Sequence, residues 1–152
     1  MGYYGIVFGI AADWSSFYTF GILPNGNFAV LRYDAGSWVV LYQEYSSAIY
    51  QGNATNRIKV VRNGPHIDGY VNNSYLTMSQ DSTYTGSRYI GLLVMSSNQP
   101  NVDIRFDNFT VYPLNCGELV STLNTKIEWP ASLDQRFSNI FSGAIGAFKP
   151  RR

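Results

Sequence analysis

The sequence predicts an all-β, antiparallel two-sheet sandwich. Three observations carry that expectation. Aromatic residues make up 16% of the chain, with 12 Tyr and 9 Phe, whereas charged residues make up only 14%, against about a quarter in average usage. Tyr, Phe, Val, Ile and Thr suit a pleated, half-buried surface. Short apolar runs alternate with clusters of Gly, Asn, Asp and Ser that mark frequent turns.

The elements follow in order. Residues 4–11, Tyr-Gly-Ile-Val-Phe-Gly-Ile-Ala, read as a buried strand. Residues 17–23 alternate, with Tyr18, Phe20 and Ile22 on one face. Pro24-Asn25-Gly26-Asn27 is a tight-turn signal. The return strand, 28–33, sets Phe28, Val30 and Arg32 opposite Ala29, Leu31 and Tyr33. Asp34-Ala35-Gly36 turns the chain into 37–43, which completes a β-meander. Residues 46–56 are a polar loop. Residues 57–62 and 66–71 flank Asn63-Gly64-Pro65 and read as a hairpin, and Asn72-Asn73 turns into a short strand at 75–78. A polar loop spans 80–88. Residues 89–96 are apolar on both faces, as expected of a central strand. The last clear strand is expected at 102–112, with a bulge at Asp107-Asn108 that brings Val102, Ile104, Phe106, Phe109 and Val111 onto one face.

Pro113 marks a boundary. The sandwich is expected over 1–112 and an extension over 113–152, with a further weakly alternating strand at 119–129. After Pro130 the period changes. Leu133, Phe137, Ile140, Phe141, Ala144, Ile145 and Phe148 recur at helical spacing, Ser132 and Gln135 fit a capping box, and Pro150 ends the run. One amphipathic C-terminal helix is therefore predicted at 133–148, either packed on the sandwich or facing a membrane surface or partner.

The stretches Gly5-Ile6-Val7-Phe8, Phe17-Tyr18-Thr19-Phe20, Gly36-Ser37-Trp38, Asn56-Arg57-Ile58-Lys59-Val60, Tyr70-Val71-Asn72-Asn73, Ile90-Gly91-Leu92 and Asp103-Ile104-Arg105-Phe106-Asp107-Asn108-Phe109 follow one another in a familiar order. Over residues 4–112 the chain resembles bacterial concanavalin A-like and laminin G-like jelly-roll domains. The resemblance implies an extracellular or cell-surface module. Such domains carry several strands before the equivalent of residue 4, so the sandwich is expected to be short of its leading strands. Residues 119–129, or a strand donated by a neighbouring chain, would then complete it. The N-terminus shows no basic region followed by an apolar run and a cleavage site.

Charge and motifs exclude several function classes. A formal net charge of +1 argues against a nucleic-acid binder, which shows a basic stripe; Lys149, Arg151 and Arg152 form the one dense basic run, at the end of the chain. No stretch reaches the roughly 18 apolar residues of a membrane span. Cys116 is alone, so no internal disulfide forms, and with His66 as the single histidine no zinc set exists. Glycosidic cleavage needs two positioned carboxyls. Glu44, Glu118 and Glu128 do not share a strand at alternating positions, and the Asp103/Asp107 pair is split by the predicted bulge. His66 has no nucleophile elbow to serve. No catalytic residues are expected.

What remains is binding. Sugar recognition sets aromatic faces against pyranose rings, with Asn, Asp and Arg for the hydroxyls. The candidate residues are Trp14, Tyr33, Trp38, Tyr42 and Tyr45, with Trp14 and Trp38 beside turns. The resemblance also leaves calcium open, with Asp13, Asp81 and Asn101 as loop ligands. The expected function is a non-enzymatic carbohydrate-binding or adhesion module directed at a glycan or cell-surface polymer. The alternatives are a structural or assembly subunit that uses strand complementation, as a homo-oligomer or with a strand-donating partner, and a degenerate glycoside hydrolase-like domain.

Overall fold

A computed structural model describes residues 2–85, 89–96 and 102–114. The strands are β1 Gly2–Ile10, β2 Ser16–Ile22, β3 Asn27–Asp34, β4 Ser37–Tyr45, β5 Ile58–Asn63, β6 His66–Val71, β7 Ser74–Gln80 and β8 Tyr89–Ser96. They form two antiparallel sheets: a five-stranded sheet in the order β4-β3-β2-β1-β8, and a three-stranded meander β5-β6-β7. The sheets stack with β1 over β5 and β4 over β7.

Tight turns set the hairpin registers. Gly26, with φ +87, closes the β2–β3 connection, where the Leu23 amide donates to Asn27 O at 2.8 Å. Ala35 and Gly36, both at positive φ, make the two-residue β3–β4 turn, and Asn72 and Asn73 do the same between β6 and β7. A turn with both central residues left-handed matches the twist of its strands and suits Asn-Gly. Asn72 also anchors the long 46–57 loop: its side-chain amide donates to Ala48 O and Asn56 Oδ1, both at 2.8 Å, and its Oδ1 accepts the Arg57 amide. Ile49 of that loop plugs the inter-sheet core.

The inter-sheet core joins Phe8, Tyr18, Phe20, Ile22, Phe28 and Val30 of the large sheet to Ile67 and Val71 of the small one. Phe20 sits directly on Gly69: a Cβ at Gly69 would lie 2.6 Å from the ring. The opposite face of the large sheet is a second apolar cluster, in which Tyr3, Val7, Ile10, Phe17, Ala29, Leu31, Tyr33, Leu93 and Met95 are buried. Strands β2 and β3 therefore bury both faces, and the alternation expected for 17–23 and 28–33 is present with each parity apolar.

Two expectations are corrected. Residues 89–96 do form a strand, but among the described residues β8 pairs with β1 alone and stands at the margin of the sheet. Its Gly91, Leu93 and Met95 are covered, whereas Ile90 and Val94 stay about 40% exposed, because the three-stranded sheet does not extend beneath it. An apolar pattern on both parities cannot tell a central strand from an edge strand.

Residues 102–112 form no strand. Val102 and Phe106 touch β1, the latter edge-on to Tyr4 at 6.4 Å, and Asn108 then enters the left-handed region with φ +51. Among the described residues no ladder partner lies beside this segment, and alternation cannot supply one. Phe106, Phe109, Val111, Tyr112 and Leu114 stay exposed. The expected strand 119–129 and helix 133–148 lie outside the described residues.

The Phe20–Gly69 contact makes a direct prediction. Phe20 is fully buried and its ring cannot withdraw, so Gly69→Ala should destabilise the protein by about 1–3 kcal/mol in urea unfolding. At the β3–β4 turn, Ala35→Asn should stabilise it by about 0.5–1 kcal/mol, since Asn tolerates the left-handed conformation that costs alanine energy.

Candidate functional site

The structure separates the sequence-predicted aromatic residues. Trp14, at φ +59 in the turn after β1, and Trp38 of β4 pack against the outer cluster of the large sheet. Tyr33 stacks on Phe17 with ring centroids 4.9 Å apart and meets Trp38 at 5.0 Å. Trp14, Tyr33 and Trp38 thus share one cluster, but Tyr33 is 3% exposed and offers no free face to a ligand. Tyr42 lies on the opposite face, stacked on Phe28 at 5.8 Å, and its hydroxyl donates to Glu44. Tyr45 is exposed at the end of β4; its ring covers Gly26 and its hydroxyl accepts from Gln51 Nε2 at 3.2 Å. The five residues do not form one surface.

Two of the three predicted calcium ligands, Asp13 and Asp81, have hydrogen-bond or ion-pair partners within the chain. Asp13 Oδ1 accepts the Ser15 amide at 3.1 Å and the Ser15 hydroxyl at 2.7 Å, a local turn. Asp81 is an ion-pair partner of Arg32. Asn101 lies outside the described residues. Among the described residues no three His, Cys, Asp or Glu side chains group as a metal site requires. Asp103 pairs with its neighbour Arg105 on the exposed surface.

Asp81 is the hub of a polar cluster that ties the two sheets together at one end. Its carboxylate accepts from the Tyr18 hydroxyl of β2 at 2.6 Å, from the Thr83 amide at 2.8 Å and from Arg32 of β3. Arg62 of β5 lies over the Tyr18 ring, 4.5 Å from its centroid, and donates to the carbonyls of Asp81 and Tyr84. Burial pushes the Asp81 carboxyl up, but the hydrogen bonds from Tyr18 and Thr83 and the charge of Arg32 outweigh it and hold the group below its ordinary value of 3.8.

This clamp orients the three-stranded sheet, whose outer face is open. The period of two turns Ile58, Val60 and Arg62, then Ile67, Gly69 and Val71, inward, so that Lys59, Val61, His66, Asp68 and Tyr70 point outward. A bulge at Gly69/Tyr70 lets β7 turn both Leu76 and Thr77 inward while Tyr75 and Met78 stay out. Register then aligns Lys59, Tyr70 and Tyr75 in one row across all three strands. The Lys59 ammonium stands 4.6 Å over the Tyr70 ring, and Tyr70 and Tyr75 meet edge-on at 5.2 Å. Asp68 Oδ1 lies 3.5 Å from the Tyr75 hydroxyl. Tyr75 is 55% and Met78 56% exposed. The row offers two aromatic rings, flanked by a cation and a carboxylate, on a rigid sheet. Sequence reasoning passed over it because Tyr70 and Tyr75 sit in short strands, where tyrosine reads as packing; only the Tyr-Val-Asn-Asn-Ser-Tyr spacing about a two-residue turn signals that they face each other.

No family model matches the sequence and no curated protein is similar to it. Among solved structures the chain is similar to the carbohydrate binding module CBM66 from Bacillus subtilis, with a TM-score of 0.50 and 14% identity over 61% of this chain and 55% of that one. The fold is a two-sheet β-sandwich. The chain spans about half the length of that structure, and at this identity the likeness bears on the fold.

The Asp81 clamp sets an acid limit. A carboxyl held below its ordinary value contributes stability that is present above about pH 4 and lost as pH falls through the folded value. Unfolding measured from pH 7 to pH 2 should show this loss. Asp81→Asn should remove that component and cost about 2 kcal/mol at pH 7, because Arg32 keeps its charge and loses the carboxylate that balances it, retaining only the Thr83 hydroxyl.

Proposed function

We propose that this chain is a non-enzymatic carbohydrate-binding or adhesion module of the concanavalin A-like kind, acting outside the cell, and that it binds glycan on the outer face of the three-stranded sheet. The observation that carries this reading is the Lys59–Tyr70–Tyr75 row beside Asp68. Aromatic rings take the apolar faces of pyranose rings, and the adjacent charged groups hydrogen-bond hydroxyls. Tyr75 is held by a sheet rather than a loop, so little conformational entropy is lost when a sugar settles on it. The naming of the similar structure as a carbohydrate binding module supports the same class.

A glycan array with the intact chain tests the reading, which fails if no polysaccharide or oligosaccharide is bound. Tyr75→Ala should weaken a bound glycan by about tenfold or more with an unchanged Tm, because the ring is mostly in solvent. Loss of binding in Trp14→Ala with Tyr75→Ala unaffected would move the site to the Trp14–Trp38 edge of the large sheet.

One observation favours a second reading, an assembly subunit. Residues 106–114 present Phe106, Phe109, Val111, Tyr112 and Leu114 to solvent in a strand-forming sequence without a ladder, and such a segment suits pairing with a neighbouring chain. Light scattering tests it: a monomer at all concentrations refutes assembly through this segment.

A further inference from the structure

The strands of the small sheet carry two large aromatic rings and no others. Tyr70 and Tyr75 are the only Phe, Tyr or Trp residues of β5, β6 and β7. Register places Val61, Asp68 and Met78 in the next row of the same face, and Asn63, His66 and Gln80 in the one after. The two tyrosines are not equivalent. Their rings cross at 66° with centroids 5.2 Å apart. The Lys59 ammonium caps one face of Tyr70 at 4.6 Å, and Tyr70 is partly buried whereas Tyr75 is exposed. The open ring surface of this face therefore belongs to Tyr75.

That arrangement limits what can sit on it. Stacking sets the apolar face of a sugar parallel to the face of an aromatic ring. Successive sugar rings of a flat, ribbon-like polysaccharide lie close to one plane, so a platform for several of them needs coplanar aromatic rings. Two rings crossed at 66° cannot both stack on such a chain. A chain whose sugar rings are inclined to one another would need the face of Tyr70 that Lys59 covers. Lys59 also stands in the path of a chain that continues across the strands beyond Tyr75, because register sets the three residues in one line. The polar groups agree. Asp68 lies at the hydroxyl of Tyr75, and Lys59 lies over the adjacent ring. One acceptor and one donor group thus border a single platform.

We propose that this face takes one sugar residue at a time, the end of a chain or a side branch, and not an internal run of a linear polysaccharide. The proposal rests on the glycan-binding reading and narrows it to a ligand class. Discrimination falls on the hydroxyls of the one stacked residue, and the remainder of the glycan stays in solvent. The protein then recognises what terminates or decorates a polymer rather than its backbone.

An array of linear oligosaccharides of two to eight residues, each with singly branched and end-extended counterparts, tests this on the full chain. The glycans bound should share one terminal or side-branch residue. Within a bound series, affinity should change by less than about twofold with length, and one further sugar added to the recognised residue should weaken binding by about tenfold or more. Lys59→Ala clears the path beside Tyr75 and should narrow that tenfold gap between the end-extended glycan and its parent. Affinity that climbs severalfold with each residue of a linear series overturns the proposal, as does equal binding of glycans that share only an internal sequence. Binding of no glycan at all overturns the glycan-binding reading itself, and the proposal with it, so the two failures are told apart.

Discussion

Two-sided burial of the large sheet is the constraint from which the rest of the structure follows. Strands β2 and β3 carry apolar side chains at both parities, so water must be excluded from both of their surfaces. One surface is satisfied by the small sheet through Phe20, Phe28, Ile67 and Val71. On the other, Tyr3, Val7 and Leu31 are buried, with Trp14 and Trp38 packed against their cluster. Ten side chains are buried on that side, and the hydrophobic effect acts there as well as between the sheets.

The small sheet is held rather than merely stacked. Gly69 lets it approach Phe20 closely, while Asp81, Tyr18, Arg32 and Arg62 join β2, β3, β5 and the segment after β7 through charge-assisted hydrogen bonds. Dispersion sets the distance between the sheets and the ionic cluster sets their relative position. Binding surfaces gain from such support, because a ligand that meets a fixed row of groups loses less freedom than one that must order them. The division of labour explains why the inward residues of β6 are small or aliphatic and its outward residues, His66, Asp68 and Tyr70, are polar or amphipathic.

Much of the fold is legible in the sequence, and the reason is local. Alternation at 17–33, the turn chemistry of Asn25-Gly26 and Asn72-Asn73, and the Gly64-Pro65 hairpin each depend on residues within a few positions of one another, so the strands they bound are recovered almost residue for residue. Residues 102–112 show where this stops. Val102, Ile104 and Phe106 alternate as a strand should, but a strand exists only when another backbone offers it hydrogen bonds, and that depends on what lies beside it in space. The edge position of β8 has the same origin. The site is less legible than the fold. Trp14 and Trp38 draw attention by size and proximity to turns, whereas Tyr70 and Tyr75 look like packing until the register across β6 and β7 places them together on the outer face.

By itself the sequence determined the class of fold, the hairpin turns and the apolar face formed by Tyr18, Phe20 and Ile22, because these are set by side-chain period and backbone preference along the chain. Tertiary structure alone decided which parity meets the small sheet, that Asp81 serves Arg32 rather than standing as a free loop carboxylate, and that Lys59, Tyr70 and Tyr75 form one row. Those outcomes rest on pairings between residues far apart in the chain, and on which surfaces the close packing of two sheets leaves in water.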